Sequence, residues 1–325
     1  MSPHFRTLLK FGISLACLIL VWRWIDLRDL SLKLKSLAPL PLVAAMVTNL
    51  VLQLLNAIKI RLIFPPPRPA LGRIVAVNFI AVFFSLFVPG GIGGEVSRWA
   101  YMSRESGSKS QALAAILLDR VTGLWAQIFL ALAAWIWLAQ AGTPSIHRSG
   151  LVIWITILIA IFIFAMSLGL GLWGYRGLSR GAQRAEKWFR TRRGDSEIPS
   201  TDIGPALEEL LSARMRCAQV SGLSLLYQAL VIGTFLLIDH SIGGSLGFAQ
   251  AAIFLVGYTL IMLLPISLGN WGVSEGVLGG LYHYTSSQSE TGVLISLLLR
   301  IMSLPAAGIG WILFMSNRSQ DSEKP

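Results

Sequence analysis

Apolar residues fall into membrane-length runs along this chain, and most polar residues gather between them. The first run covers residues 8–25 and ends on Trp22 and Trp24, aromatics of the kind that settle at a membrane interface. Residues 26–38 (DLRDLSLKLKSLA) set leucines among charges, which predicts a short amphipathic helix lying on the membrane rather than through it. Further spans are predicted at 39–64, 111–139, 151–174, 217–239 and 291–315, each close to or above the roughly 20 residues a crossing takes. Two remaining apolar runs behave differently. Residues 74–88 meet Pro89-Gly-Gly-Ile-Gly-Gly-Glu95, and residues 248–265 meet Ser267-Leu-Gly-Asn-Trp-Gly272 with Glu275 close behind. In hydrocarbon, backbone that stops being helical leaves N–H and C=O groups unpaired. Such breaks persist only where protein covers them or a polar cavity receives them. A carboxylate at a break marks a candidate site.

The basic residues give the topology. Lys59, Arg61, Arg68 and Arg73 place the loop after the second span in the cytoplasm, and the N-terminus with it. Arg98, Arg104 and Lys109 put the far flank of the first break on the same side, so that segment reads as a hairpin that enters and returns. The loop at 285–289 after the second break carries no cation, which fits a hairpin opening to the outer face. Residues 175–216 hold nine Lys or Arg against six Asp or Glu and are read as a basic cytoplasmic loop. The expectation is an all-α polytopic membrane protein with both termini cytoplasmic, about six full spans and two re-entrant hairpins. A single membrane domain covers 1–325: first span and interfacial segment 1–38, first repeat 39–139, linking span 151–174, basic loop 175–216, second repeat 217–316, disordered tail 317–325.

The word repeat has a specific basis. A shift of 180 residues lays Glu95 on Glu275 and Arg120 on Arg300, and lays the spans at 39–64 and 111–139 over those at 217–239 and 291–315. Span, broken hairpin with Glu, then span with Arg occurs twice, entering first from the cytoplasm and then from outside. This is the pattern of an inverted repeat, in which broken helices meet near the midplane and form a site.

Composition agrees with a membrane protein: 54% of residues are hydrophobic and 13% charged, against about 25% charged in soluble domains. The formal net charge of +11 raises the question of nucleic acid. The cations sit in short loops between spans, as membrane topology demands, so no nucleic-acid partner is expected. Cys17 and Cys217 form no disulfide or zinc framework, and His4, His147, His240 and His283 show no metal-ligand spacing. No cofactor or metal is expected. The N-terminal run resembles a signal peptide, but it continues past Cys17 without a cleavage pattern and is read as an uncleaved span.

Glu95, Asp119, Arg120, Glu275 and Arg300 lie at or within apolar runs, where each central charge costs roughly 2.5–3.5 kcal/mol unless it is paired or hydrated. One reading makes Glu95–Arg120 and Glu275–Arg300 structural ion pairs. The other turns the arginines toward a cavity, where their planar fork binds phosphate at two points. Gly90, Gly91, Gly93 and Gly94 permit close backbone approach and leave N–H groups free to face an anion. With Arg98, Asp119, Asn270, Trp271 and Gly272 these residues make up the candidate substrate site. A nucleotide fingerprint is excluded, because no third Gly completes Gly91-x-Gly93 and no strand precedes it.

Pro89-Gly-Gly-Ile-Gly-Gly-Glu95 with Arg98, Leu118-Asp-Arg-Val-Thr-Gly123 and Pro265-Ile-Ser-Leu-Gly-Asn-Trp-Gly-Val-Ser-Glu-Gly276 resemble the signatures of the lysylphosphatidylglycerol synthase transmembrane family, also called the flippase-like group. That family includes the membrane half of the multiple peptide resistance factor, which turns aminoacylated phosphatidylglycerol across the bilayer, and members associated with hopanoid metabolism. The resemblance implies lipid translocation in a bacterial inner membrane. It does not imply aminoacyl transfer, because 325 residues hold no counterpart of the soluble synthase half. The family commonly has Asp where this chain has Glu95. The lipid is expected to be an anionic phospholipid or an isoprenoid-type lipid, moved passively or with an ion gradient, since no ATPase motif is present. Two alternatives stay open: a non-transporting partner of lipid-biosynthesis enzymes, and an intramembrane lipid-modifying enzyme.

Overall fold

The computed structural model describes residues 27–87, 93–140, 214–262, 270–286 and 288–322. Within them every regular element is a helix: α1 (Leu27–Lys35), α2 (Pro39–Ile63), α3 (Leu71–Phe87), α4 (Gly93–Ser106), α5 (Lys109–Gln140), α6 (Arg214–Ser241), α7 (Phe248–Met262), α8 (Val273–Ser286) and α9 (Ser289–Ser322). The expected first span, the linking span at 151–174, most of the basic loop and the tips of both breaks lie outside the described residues.

Among the described residues, four helices are long and apolar enough to cross a membrane: Pro39–Ile63, Lys109–Leu138, Met215–Ser241 and Ser289–Ser316. The apolar helices α3 and α7 have 17 and 15 residues. At 1.5 Å per residue they reach about 25 and 22 Å, short of the ~30 Å hydrocarbon thickness. The sequence explains where helices start and stop. Pro at the first positions opens α2, and Pro65-Pro66-Pro67 ends it. Ser108 caps α5 by accepting the N–H of Gln111 at 3.2 Å, and Gln250 reaches back to the N–H of Gly247 at 3.0 Å to cap α7. Two boundaries differ from expectation. Helix α6 begins at Arg214, so Arg214 and Arg216 belong to its first turn rather than to the loop. Helix α9 continues to Ser322, past the expected start of a disordered tail at 317, and no Gly or Pro lies between Gly310 and Ser322 to stop it.

Two apolar clusters mark the two ends of the bundle. One joins Ile60 of α2, Ile74 of α3, Met102 of α4, Ala112 of α5 and Val220 of α6. The other joins Ala45 of α2, Leu138 of α5, Ile238 of α6, Ala249 of α7, Tyr282 of α8 and Leu294 of α9. Helices α2 and α6 therefore run antiparallel, and at one end the Ala38 N–H donates to the Ser241 carbonyl at 2.8 Å. The open ends of α3 and α4 lie at the first end, and those of α7 and α8 at the second.

The bounds also recur at a fixed offset. Moved by 180 residues, α4 lies on α8 end for end, and the start of α5 at 109 falls on the start of α9 at 289. Packing follows the same exchange: α3 packs on α9 as α7 packs on α5, while α2 and α6 pack on each other. With both native cysteines replaced, Lys109→Cys and Gln288→Cys should react with an impermeant thiol reagent from opposite faces of oriented membrane vesicles. Labelling of both from one face would contradict the end-to-end arrangement.

Candidate functional site

Helix α4 buries Gly94, Arg98 and Met102, spaced by four and so on one face. Gly94 is required there, since a Cβ at this position would sit 2.7 Å from the Ala81 carbonyl oxygen of α3. The two arms of the first hairpin touch at that point, and Arg98 one turn later points into the bundle. Helix α2 brings a polar stripe to meet it, with Asn49, Gln53, Asn56 and Lys59 at intervals of three or four residues. Between them lies a cavity of about 300 Å³, walled by Gln53, Asn56 and Lys59 of α2, Arg98 of α4, Asp119, Arg120 and Gln127 of α5, Tyr227 and Gln228 of α6, and Thr259 of α7. That volume is at the lower end for small-ligand sites.

Its charges are organised around Asp119. Lys59 Nζ lies 2.7 Å from Asp119 Oδ1, with both side chains over nine-tenths buried, and Arg98 Nη1 is 3.7 Å from Oδ2. Lys59 also stands 5.3 Å from the centre of the Tyr227 ring, within cation–π range. Arg120 pairs with Glu95 at the rim, where the arginine side chain is 57% exposed. Gln127 Nε2 donates to the Leu255 carbonyl at 2.9 Å and to Thr259 Oγ1 at 2.8 Å, tying α5 to α7 along one wall.

The second break is built differently. Asn270 takes a positive φ of 58° and Gly272 one of 80°, turning the chain into α8. Asn270 Nδ2 donates back to the Met262 carbonyl at 3.1 Å, fastening the two arms together. Glu275, third in α8, accepts the Gly272 N–H at 2.7 Å and the Ser274 hydroxyl at 2.9 Å, the reach-back half of a capping box. Its other oxygen accepts Arg300 Nε at 3.2 Å and the Ser296 hydroxyl at 3.3 Å. Arg300 Nη2 donates to the Asn270 carbonyl at 3.1 Å and to Ser274 Oγ at 2.6 Å, and its guanidinium lies 4.2 Å from the Trp271 ring centre. Every oxygen of Glu275 is occupied.

The family model described as the lysylphosphatidylglycerol synthase TM region matches residues 7–310. The chain belongs to this family. No curated protein and no solved structure matches it. As a member of the lysylphosphatidylglycerol synthase TM family with four membrane-length helices, it is a multi-pass membrane protein related to lipid handling.

Within this family member the expected site residues separate into two groups. Arg98, Asp119 and Arg120 line the cavity, with Glu95 held by Arg120. Asn270, Trp271, Gly272, Glu275 and Arg300 form the second cluster and are not part of the cavity wall. The expected meeting of all four Glu and Arg residues in one space is thus replaced by one pair in each half. Helix α7 runs between them: Thr259 faces the cavity, and neighbouring Tyr258 is within electrostatic reach of Arg300 and Glu275. Gly93 and Gly94 open α4, while Gly90 and Gly91 lie outside the described residues. Lys59, read as a loop cation, is instead a buried wall residue, and the polar stripe through 49, 53 and 56 is the signal that placed it there. Among the described residues no His, Cys, Asp or Glu cluster is arranged to hold a metal.

Asp119 holds two buried cations, so its loss should be severe. Asp119→Asn is expected to cost about 3–5 kcal/mol by stranding Lys59 and Arg98 together. Adding Lys59→Met should recover most of that cost, as read by thermal unfolding in detergent. No recovery in the double variant would show that Lys59 and Asp119 are not energetically paired.

Proposed function

We propose that this protein carries lipids with an anionic headgroup between the leaflets of a bacterial inner membrane, the headgroup passing through the cavity while the acyl chains remain in the bilayer. The observation that carries this reading is open space beside three cations, Lys59, Arg98 and Arg120, within a bundle of membrane-length helices. Structural ion pairs alone need no such space. Lysine and arginine bind phosphate oxygens through charge-assisted hydrogen bonds, and Gln53, Asn56, Gln127 and Gln228 add amide donors and acceptors.

We read the two halves as an inverted repeat and α3–α4 and α7–α8 as re-entrant hairpins. The constant offset, the antiparallel α2 and α6 and the opposite-facing open ends support this. Arg61, Arg68, Arg73, Arg104 and Lys109 gather at one end, which supports placing that end and both termini in the cytoplasm. Movement is passive or coupled to a gradient.

The test is reconstitution into liposomes with fluorescent lipids, following their accessibility to an impermeant quencher. Chemical conversion would indicate an enzyme, and neither movement nor conversion would favour a non-transporting partner. Arg120→Ala should abolish movement yet retain the fold. The Arg120–Glu95 pair is half-exposed, and such pairs are worth about 1 kcal/mol or less. Arg120→Lys, which keeps charge without the two-point grip, should move lipid more slowly. Full activity in Arg120→Ala would remove Arg120 from the path.

A further inference from the structure

Four uncharged polar groups beside the cavity each bury an atom that has no hydrogen-bond partner among the described residues: Oδ1 of Asn49 and of Asn56 in α2, Oδ1 of Asn78 in α3, and Nε1 of Trp135 in α5. Asn56 belongs to the cavity wall. Asn49 lies one turn from the wall residue Gln53, and Asn78, fully buried, lies one turn from the wall residue Val82. Trp135 stands two turns beyond Gln127 on α5, and its neighbour Ala134 packs with Ala45 in the second apolar cluster. These atoms therefore leave the cavity in one direction. From Asn56 to Asn49 the step along α2 is about 10 Å, which reaches the middle of that helix, and Trp135 lies further toward the second end.

Their chemistry selects what sits between them. Asn78 Nδ2 donates to the Gln53 carbonyl at 3.2 Å, so its oxygen is the unpaired end and needs a donor. The Trp135 N–H needs an acceptor, since indole can only donate. A cation would serve the oxygens alone and would be repelled by the buried Lys59 and Arg98. An anion would serve the indole alone. Water serves both. Burying such groups unpaired is costly, and an enclosed water with about two to four polar partners removes the cost.

We infer that a water-holding seam leaves the cavity beside Asn49 and runs inside the bundle to Trp135, toward the end where α7 and α8 open. The seam itself stands without the lipid-carrier reading, and its use rests on that reading. It is the outward leg by which a polar group in the cavity reaches the second face of the bundle.

Radiolytic hydroxyl labelling of the purified full-length protein in nanodiscs, read by mass spectrometry, tests this. The radicals form from water next to a side chain, so an indole enclosed by packed side chains stays unmodified. Trp135 should be oxidised in the wild type. Asn49→Leu keeps the side-chain volume and loses no protein hydrogen bond, so it should fold, and it should lower Trp135 oxidation severalfold. Asn49→Ser keeps a hydroxyl for the water and should preserve the labelling. An unmodified Trp135 would overturn the inference. Equal oxidation in wild type and Asn49→Leu would overturn it as well, by assigning the water to the outer surface. Should Asn49→Leu fail to fold, the wild type and Asn49→Ser still decide whether the seam holds water. In liposomes Asn49→Leu should move lipid at least about tenfold more slowly, the effect of one missing polar partner along the way. Undiminished transport by Asn49→Leu would overturn the seam as the outward leg. A hydrated seam in a wild type that moves no lipid upholds the seam and sinks the carrier.

Discussion

A helix that breaks off has to find partners for the backbone groups it releases, and in this chain the same device stands at both breaks. A glutamate occupies the third position of the returning helix, and an arginine on the following long helix meets it. At the second break the device is complete. Glu275 closes the first turn of α8, Arg300 reaches the Asn270 carbonyl in the turn itself, and Asn270 ties back to the end of α7. The acidic side chain also faces the positive end of the α8 dipole. At the first break the same pair stands half-exposed at the mouth of a cavity.

The frame is thus shared by the two halves and the chemistry is not. Lys59 of α2 and Asp239 of α6 occupy positions separated by the same 180 residues that separate the helices. Asp239 is fully buried and satisfied, accepting the Tyr282 hydroxyl at 2.6 Å and the Leu246 N–H at 3.0 Å, which fastens the turn into α7. Lys59 finds Asp119, whose counterpart in the other half is the apolar Leu299. One half seals its polar residues into the scaffold, while the other surrounds space with them.

Much of the frame was legible because the signals were local. Run length marked the four spans that the described residues hold, Pro and Gly marked the breaks, and the spacing from Glu95 to Arg120 and from Glu275 to Arg300 marked the pairs. What escaped was which side of a helix faces which neighbour. Lys59 lies four residues before the end of α2, and by linear position it belongs with Arg61 and Arg68 outside the membrane. Its direction depends on the face shared with Gln53 and Asn56 and on Asp119 sixty residues away. The separation of Glu275 from the cavity was equally hidden, because capping of Gly272 consumes an oxygen that the sequence leaves unassigned.

The contact of Gly94 with Ala81 has a counterpart in the long last helix, where a Cβ on Gly310 would collide with the Phe79 carbonyl of α3. Helix α3 is therefore approached at backbone distance from both sides, by α4 and by α9. Lipid tails are as apolar as leucine, so expulsion of water does not press these helices together. Their cohesion comes from dispersion between surfaces in contact, which decays steeply with separation. A single methyl would prise α4 from α3 at Gly94, or α9 from α3 at Gly310, and let solvent made of acyl chains compete for the gap.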